Sequence, residues 1–174
     1  MIIVTTDNRE KVMLHHYTIG PRLPLIRKAG ALLPLGAKLS TVEFPQLWFS
    51  TREDYEPAIL KLQVLDGRLI RPTFEQLSAQ MGCYRFIVRE QVLLRPFIKL
   101  CRQARIPASD VDALAQLCTE LGSSTDQWFG TITPVMLSNL DFEVWREGTW
   151  RKADFNVETS QLSACRARCG LMAA

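Results

Sequence analysis

The chain of 174 residues is 47% hydrophobic and 22% charged, a composition typical of a folded domain and unlike that of a disordered chain. Its 21 basic and 18 acidic residues give a net charge of +3 with no run of like charges, so composition does not favour nucleic-acid binding. No segment approaches the roughly 18 uninterrupted apolar residues of a membrane span, and the N-terminus lacks the features of a signal peptide. We therefore expect one cytoplasmic domain over residues 1–160 and a C-terminal tail over residues 161–174.

The first part of the chain alternates predicted strands and helices. Residues 11–17 predict a strand, and residues 21–29 predict a short helix that ends at Gly30. The apolar run 47–50 predicts a second strand. A helix-like run follows, which begins at residue 52 or 54 and continues to residue 62.

The clearest helix is predicted over residues 110–121, where apolar side chains recur at helical spacing. Ser109 is the expected N-cap, and Asp112 follows three residues later as in a capping box. Gly122 is the expected C-cap.

The remaining predicted elements are mostly strands. Residues 83–90 alternate as a strand, and residues 94–101 carry a helical apolar stripe. Three further strands are expected over residues 127–131, 140–146 and 149–155, the last two joined by a tight turn at Glu147 and Gly148. The pattern predicts an α+β fold with a late hairpin.

The five cysteines do not suggest a disulfide framework. Cys101 and Cys118 lie in apolar, helix-like settings, as expected of buried thiols in a reducing cytoplasm. Cys165 and Cys169 have a spacing that fits two metal ligands on one helical turn, but no second cysteine pair or histidine pair accompanies them. We therefore expect free thiols and no metal site.

Both histidines lie on the first predicted strand. Strict alternation places His16 and Thr18 on one face and His15 and Tyr17 on the other. A histidine beside a threonine offers several hydrogen-bonding atoms to a hydroxyl-rich ligand such as ribose. The alternative is that His16 is a satisfied core histidine and Thr18 caps the following helix.

The late strand carries two acidic residues on one face. Asp141 and Glu143 alternate with the apolar residues Leu140, Phe142 and Val144. Two such carboxylates raise each other's proton affinity when they are partly buried. They form either a site or a solvated strand edge, and the latter is the commoner arrangement for acidic residues.

Taken together, these residues resemble the ADP-ribosyltransferase superfamily. The resemblance rests on the order of four features: a strand ending in His16-Tyr17-Thr18, a strand ending in Trp48-Phe49-Ser50, the downstream Tyr55, and the acidic strand motif Asp141-Phe142-Glu143. It extends from about residue 12 to residue 155. It implies a single α+β domain with a split, mixed or antiparallel β-sheet and flanking helices.

The resemblance also implies residues that bind NAD. His16 would hydrogen-bond the NAD ribose, with Thr18 beside it, and Ser50 would match the serine of the second motif strand. Tyr55 would stack on the nicotinamide ring. Tyr17 is a competing choice for that stacking role.

Two further roles follow from the same resemblance. Glu143 would be the catalytic glutamate that stabilises the transition state as nicotinamide leaves, and Asp141 would help to orient the acceptor. Arg27 or Arg22 would meet the pyrophosphate.

The implied function is NAD-dependent ADP-ribosylation of a macromolecular acceptor, protein or nucleic acid, by a toxin or phage-related effector, for which an antitoxin or inhibitor would be a further partner. The alternatives are an NAD glycohydrolase or RNA 2'-phosphotransferase-like enzyme, and a non-catalytic binding protein. The sequence departs from the family pattern in its doubled histidine, which leaves His15 as an alternative to His16, and in Asp141, where Glu or Gln is commoner. Glu56 follows Tyr55 and is a second candidate to reach the site.

Overall fold

The described residues form five α-helices and eleven β-strands in a mixed α/β fold. A computed structural model describes residues 12–34, 43–60, 63–65, 68–89 and 92–168. The helices in these ranges are α1 (Leu23–Ala29), α2 (Phe74–Met81), α3 (Phe97–Gln103), α4 (Ala108–Glu120) and α5 (Phe155–Arg168). The strands are β1 (His15–Ile19), β2 (Ala31–Leu32), β3 (Leu47–Ser50), β4 (Gln63–Leu65), β5 (Arg68–Ile70), β6 (Cys83–Val88), β7 (Arg95–Pro96), β8 (Trp128–Thr131), β9 (Val135–Met136), β10 (Leu140–Arg146) and β11 (Thr149–Lys152).

One seven-stranded sheet organises the domain. Its strand order is β11-β10-β6-β1-β3-β8-β7, and each neighbouring pair is antiparallel. The short strands β2 and β9 pair with each other, as do β4 and β5. The central strand β1 pairs with β6 along its whole length. Its pairing with β3 is limited to one residue pair, His15 with Ser50.

The sheet has an apolar face and a polar face because side chains alternate along each strand. The apolar face carries His16, Phe86 and Phe142 in register across β1, β6 and β10, and α1 and α5 pack on it. The polar face carries Tyr17, Arg85 and Glu143 in register across the same strands. We use the names apolar face and polar face in this sense below.

Helix α2 and the segment after β3 cover part of the polar face. Phe74 and Leu77 of α2 form a second buried cluster with Cys83 and Leu60, against which Tyr55 packs. The apolar face and part of the polar face are therefore covered, and polar residues such as Arg85 beneath this second layer are buried.

Several predicted elements are confirmed. The strand over 47–50 and the strand over 140–146 have the predicted bounds, and Gly30 ends α1 in the left-handed conformation with φ of 66°. Glu147 and Gly148 both have positive φ, 52° and 76°, as a type I′ hairpin turn requires. The first strand is displaced toward the C-terminus, at His15–Ile19.

The predicted helix over residues 52–62 is wrong for the part that the structure describes. Only a 3-10 turn forms there, at Pro57–Ile59. The physical reason is Pro57, which holds the preceding residue Glu56 in an extended conformation with φ of −93° and ψ of 116°.

Helix boundaries differ from prediction at three further places. Helix α4 begins at Ala108 after Pro107, without a side-chain cap, so Ser109 is not the N-cap. Helix α3 begins only at Phe97, after Pro96. Phe155 begins α5, which was not predicted and continues past residue 160 into the expected tail. Cys169 and the side chain of Cys165 lie outside the described part of the chain.

Candidate functional site

A cleft of about 370 Å³ lies beside the single residue pair that joins β1 to β3. It is lined by residues 15–19 of β1, by Gln46 and residues 47–50 of β3, and by Arg22, Glu56 and Trp128, among others. Pockets for small-molecule ligands commonly measure about 300–1,000 Å³, so the cleft fits a compact ligand or part of a larger one. It is bounded by strands on two sides, which makes its walls rigid.

His16 connects the two strands where their backbones do not pair. Its Nδ1 lies 2.8 Å from the carbonyl oxygen of Trp48, and because that oxygen only accepts, Nδ1 carries the proton. Burial lowers the pKa of His16, against the raising effect of this hydrogen bond, and the nearby Arg22 lowers it further. The imidazole is therefore neutral at pH 7, and Nε2 is its acceptor atom.

Two buried polar side chains line the cleft without a well-formed hydrogen bond to any described residue. Thr18, 6% exposed, has no partner for Oγ1, and His15, 1% exposed, has only the carbonyls of Ser50 and Arg52 near its ring, outside good hydrogen-bond geometry. Thr18 does not cap the following helical turn, whose N-cap is Ile19 without a side-chain hydrogen bond. Buried polar atoms without partners are rare in native structures, so these two side chains are the candidate ligand contacts of the cleft.

Burial also keeps His15 neutral. Its pKa is lowered to about 4, first by burial and then by the Arg85 guanidinium, while the carbonyls of Ser50 and Arg52 and the Glu143 carboxylate oppose that shift. A neutral imidazole presents one donor and one acceptor. His15 can therefore donate a hydrogen bond to a ligand or accept one from it.

Ser50 and Glu56 form a hydrogen-bonded pair at the wall of the cleft. The Ser50 hydroxyl donates to Oε2 of Glu56 at 2.7 Å, and the Ala58 amide reaches Oε1 at 3.5 Å. Glu56 is 6% exposed and has no ion-pair partner in the described ranges. The cleft thus contains a buried carboxylate.

Three side-chain donors from the polar face hold the segment Arg52–Asp54, which leads to Glu56. The Tyr17 hydroxyl donates to the Arg52 carbonyl, Arg85 Nη1 donates to the Glu53 carbonyl, and Trp150 Nε1 donates to the Asp54 carbonyl at 2.6 Å. The pKa of Tyr17 is raised to about 12, chiefly by burial, so its hydroxyl keeps the proton that it donates. Three consecutive carbonyls are satisfied by three different strands.

Two arginine–carboxylate pairs connect β6 to β10. Arg85 contacts Oε2 of Glu143 through Nε at 2.7 Å and Nη2 at 2.6 Å, and the two side chains are only 9% and 12% exposed. The guanidinium also lies 4.6 Å from the ring centroid of Trp150. Arg89 and Asp141 form the second pair at 2.6 Å, but on the surface, with side chains 54% and 41% exposed.

The structure brings four of the eight predicted site residues to the cleft. These are His16, Tyr17, Thr18 and Ser50. The other four do not line it. Tyr55 stacks on Phe74 with ring centroids 4.4 Å apart, Arg27 donates to Ser160 Oγ at 3.0 Å, and Glu143 and Asp141 hold the two arginines described above. The roles given to these four residues remain predictions.

Three cleft residues had weaker signals in the sequence. Glu56 and Arg22 are only alternative candidates in the sequence, and Trp128 is not a candidate there. The signal for Glu56 is its position directly after Tyr55 and directly before Pro57, which takes it out of a helix. Trp128 lies about 80 residues after β3 in the sequence. The pairing of β8 with β3 brings it to the cleft, and nothing in the sequence predicts that pairing.

Comparison of the chain with protein-family models, with curated proteins and with solved structures finds no match. None of the described helices is long and apolar enough to cross a membrane. In the same part of the chain, no three His, Cys, Asp or Glu side chains are grouped so that they could hold a metal ion.

The two arginine pairs predict different effects on stability. Arg85→Met leaves Glu143 buried without its partner, and we expect it to lower the free energy of unfolding by about 3–5 kcal/mol. The matched variant Arg89→Met breaks a pair of equal length on the surface and should cost far less. Urea unfolding of both variants measures the difference, and the double variant Arg85→Met/Glu143→Leu should recover part of the loss. Equal losses for Arg85→Met and Arg89→Met would show that burial does not control these pairs.

The lowered pKa of His15 predicts a loss of stability in mild acid. The folded protein takes up this proton only near pH 4, whereas the unfolded chain takes it up near 6.5, so the free energy of unfolding falls as pH is lowered from about 6.5 to 4. His15 should account for up to about 3 kcal/mol of that fall. Denaturant unfolding at several pH values, for wild type beside His15→Gln, measures its share. Parallel pH profiles for the two proteins would contradict the prediction.

Proposed function

We propose that the protein is an NAD-dependent ADP-ribosyltransferase with that superfamily's fold, which binds NAD in the cleft between β1 and β3. The observation that carries the proposal is the buried Thr18 hydroxyl, which lines the cleft without a hydrogen-bond partner among the described residues, beside the poorly partnered ring of His15. A buried hydroxyl or imidazole without a partner costs free energy that a ligand with matching polar groups recovers.

The cleft residues suit the ribose of NAD. Nε2 of His16 accepts a hydrogen bond, and the hydroxyl of Thr18 both donates and accepts. His16 and Thr18 lie on the same face of β1. Ribose hydroxyls likewise donate and accept, so the two side chains and the sugar can satisfy each other.

Other cleft residues suit the remaining parts of the molecule. Arg22 is a cation at the cleft wall and would pair with the pyrophosphate. Trp48 and Trp128, whose ring centroids lie 5.7 Å apart, provide aromatic surface for a planar base. The cleft volume lies near the lower end of the usual range, so we infer that it encloses one half of the dinucleotide.

NAD supplies a glycosidic bond between a cationic nicotinamide ring and a ribose, and nicotinamide is a leaving group. The chain's own contribution is to fix the sugar and to exclude water from it. His16 holds its proton on Nδ1 through the Trp48 carbonyl, and so keeps a constant acceptor at Nε2. The acceptor of the ADP-ribosyl group is then a macromolecule that reaches the open side of the cleft.

The first test is turnover of NAD labelled in the adenylate. We expect purified protein to release nicotinamide and to transfer label to a protein, DNA or RNA acceptor in a cell extract. Release without transfer would identify an NAD glycohydrolase on the same site. Neither binding nor release by folded protein would overturn the proposal in favour of a binding module of other specificity.

A second test uses the unpartnered hydroxyl of Thr18. Thr18→Val keeps the shape of the side chain and removes one polar atom, so we expect NAD affinity to fall about tenfold, since one hydrogen bond is worth about 1 kcal/mol or slightly more. Because the hydroxyl has no partner among the described residues, the variant should be at least as stable as wild type.

The matched control is Thr159→Val. Thr159 is also buried, but its hydroxyl donates to the Phe155 carbonyl at 2.6 Å within α5. This variant should lose stability and keep NAD affinity. Thermal unfolding measures the stability, and calorimetry measures the NAD affinity. A Thr18→Val protein that binds NAD as wild type does would remove Thr18 from the site.

A further inference from the structure

Glu56 is the carboxylate that lines the cleft. The sequence pointed to Glu143 for this purpose, but Glu143 lies away from the cleft wall and contacts Arg85 through two guanidinium nitrogens. Glu56 is directly at the wall, 6% exposed, with its Oε2 bound to the Ser50 hydroxyl at 2.7 Å. The two glutamates therefore differ in both location and charge environment.

The charge environment favours Glu56 over Glu143 as the carboxylate that attracts a cationic ligand group. The field of an ion pair falls off faster with distance than the field of a single charge, so Arg85 largely cancels the effect of Glu143 on a ligand. Glu56 has two neutral hydrogen-bond donors, Ser50 and Ala58, and no ion-pair partner in the described ranges. A buried carboxylate of this kind attracts a cationic group strongly, because water does not screen it.

The position of Glu56 is fixed before a ligand arrives. The carbonyls of Arg52, Glu53 and Asp54 are held by Tyr17, Arg85 and Trp150. After Glu56, the ring of Pro57 restricts the backbone. A charge held in place costs no reorganisation when charge develops beside it.

We propose that Glu56 faces the nicotinamide–ribose end of NAD and is the catalytic carboxylate, with Ser50 as the positioning residue. This inference rests on the proposed function. The bond between ribose C1' and the nicotinamide nitrogen breaks, and its electron pair leaves with nicotinamide, which becomes neutral. The acceptor's nucleophilic atom forms the new bond to C1' and loses its proton to solvent. The carboxylate of Glu56 stabilises the positive charge that develops on the ribose and is not consumed.

Binding alone gives the first readout. NAD⁺ carries a positive nicotinamide ring and NADH does not, so a carboxylate beside that ring distinguishes them. We expect wild type to bind NAD⁺ about tenfold more tightly than NADH, as a charge pair of modest strength gives in a partly buried site. In Glu56→Gln this ratio should fall to near one, as calorimetry measures with both ligands. The matched control is Glu158→Gln, which removes a buried carboxylate that pairs with Arg146 outside the cleft and should keep the wild-type ratio.

Nicotinamide release gives the second readout. Glu56→Gln should lower kcat by about 10²-fold or more with a small change in KM, as removal of a preorganised electrostatic contact does. Ser50→Ala should give a smaller loss in kcat and a smaller NAD⁺/NADH affinity ratio than wild type, since Glu56 then loses the shorter of its two hydrogen bonds. Glu143→Gln, corrected for folded fraction, should lose at least tenfold less than Glu56→Gln.

The outcomes separate this inference from the proposed function. If wild type releases nicotinamide and Glu56→Gln keeps both its kcat and its NAD⁺/NADH ratio, Glu56 is not the catalytic carboxylate and the NAD reaction stands. A larger loss in Glu143→Gln than in Glu56→Gln assigns the role to Glu143. If wild type binds neither nucleotide, the proposed function and this inference fail together.

Discussion

The structure around the cleft depends on three hydrogen bonds to consecutive backbone carbonyls. Residues 52–54 form neither helix nor strand, yet they cover a buried part of the sheet, where carbonyl groups need partners. Tyr17, Arg85 and Trp150 supply those partners from β1, β6 and β11. A loop that would otherwise be free on the surface is thereby fixed to three strands at once.

This constraint explains why the polar face tolerates a buried ion pair. Arg85 donates to the Glu53 carbonyl with one nitrogen and to Glu143 with two others, and the face of its guanidinium lies over Trp150. Arg85 is the cation that holds residues 52–54. Glu143 lowers the free-energy cost of burying it, because a paired charge is better tolerated in the interior than a single one. The carboxylate on β10 thus has a structural contribution through Arg85, independent of any contact with a ligand.

Sequence patterns predicted the strands better than the segments between them. Alternation was sufficient for β10, whose side chains face two different layers, and a short apolar run was sufficient for β3. The helical pattern after β3 was misleading because one residue, Pro57, outweighs the periodicity of its neighbours. The capping box of α2, Thr73 with Gln76, is readable in the sequence, and Phe74, Leu77 and Met81 follow it at helical spacing, so α2 was predictable from its own residues.

Four of the eight predicted site residues line the cleft, and the reason that the others do not is geometric. Alternation treats His15 and His16 as exclusive choices, since they point to opposite faces of a sheet. The cleft does not lie on a face, however: it lies between β1 and β3, whose register is one pair, so side chains from both faces of β1 border it. Only the strand order reveals this, because it joins residues 15–19 to residues 47–50 and leaves Glu143 two strands away. His15 and His16 therefore both line the cleft, so the two are not alternatives for one position in a motif.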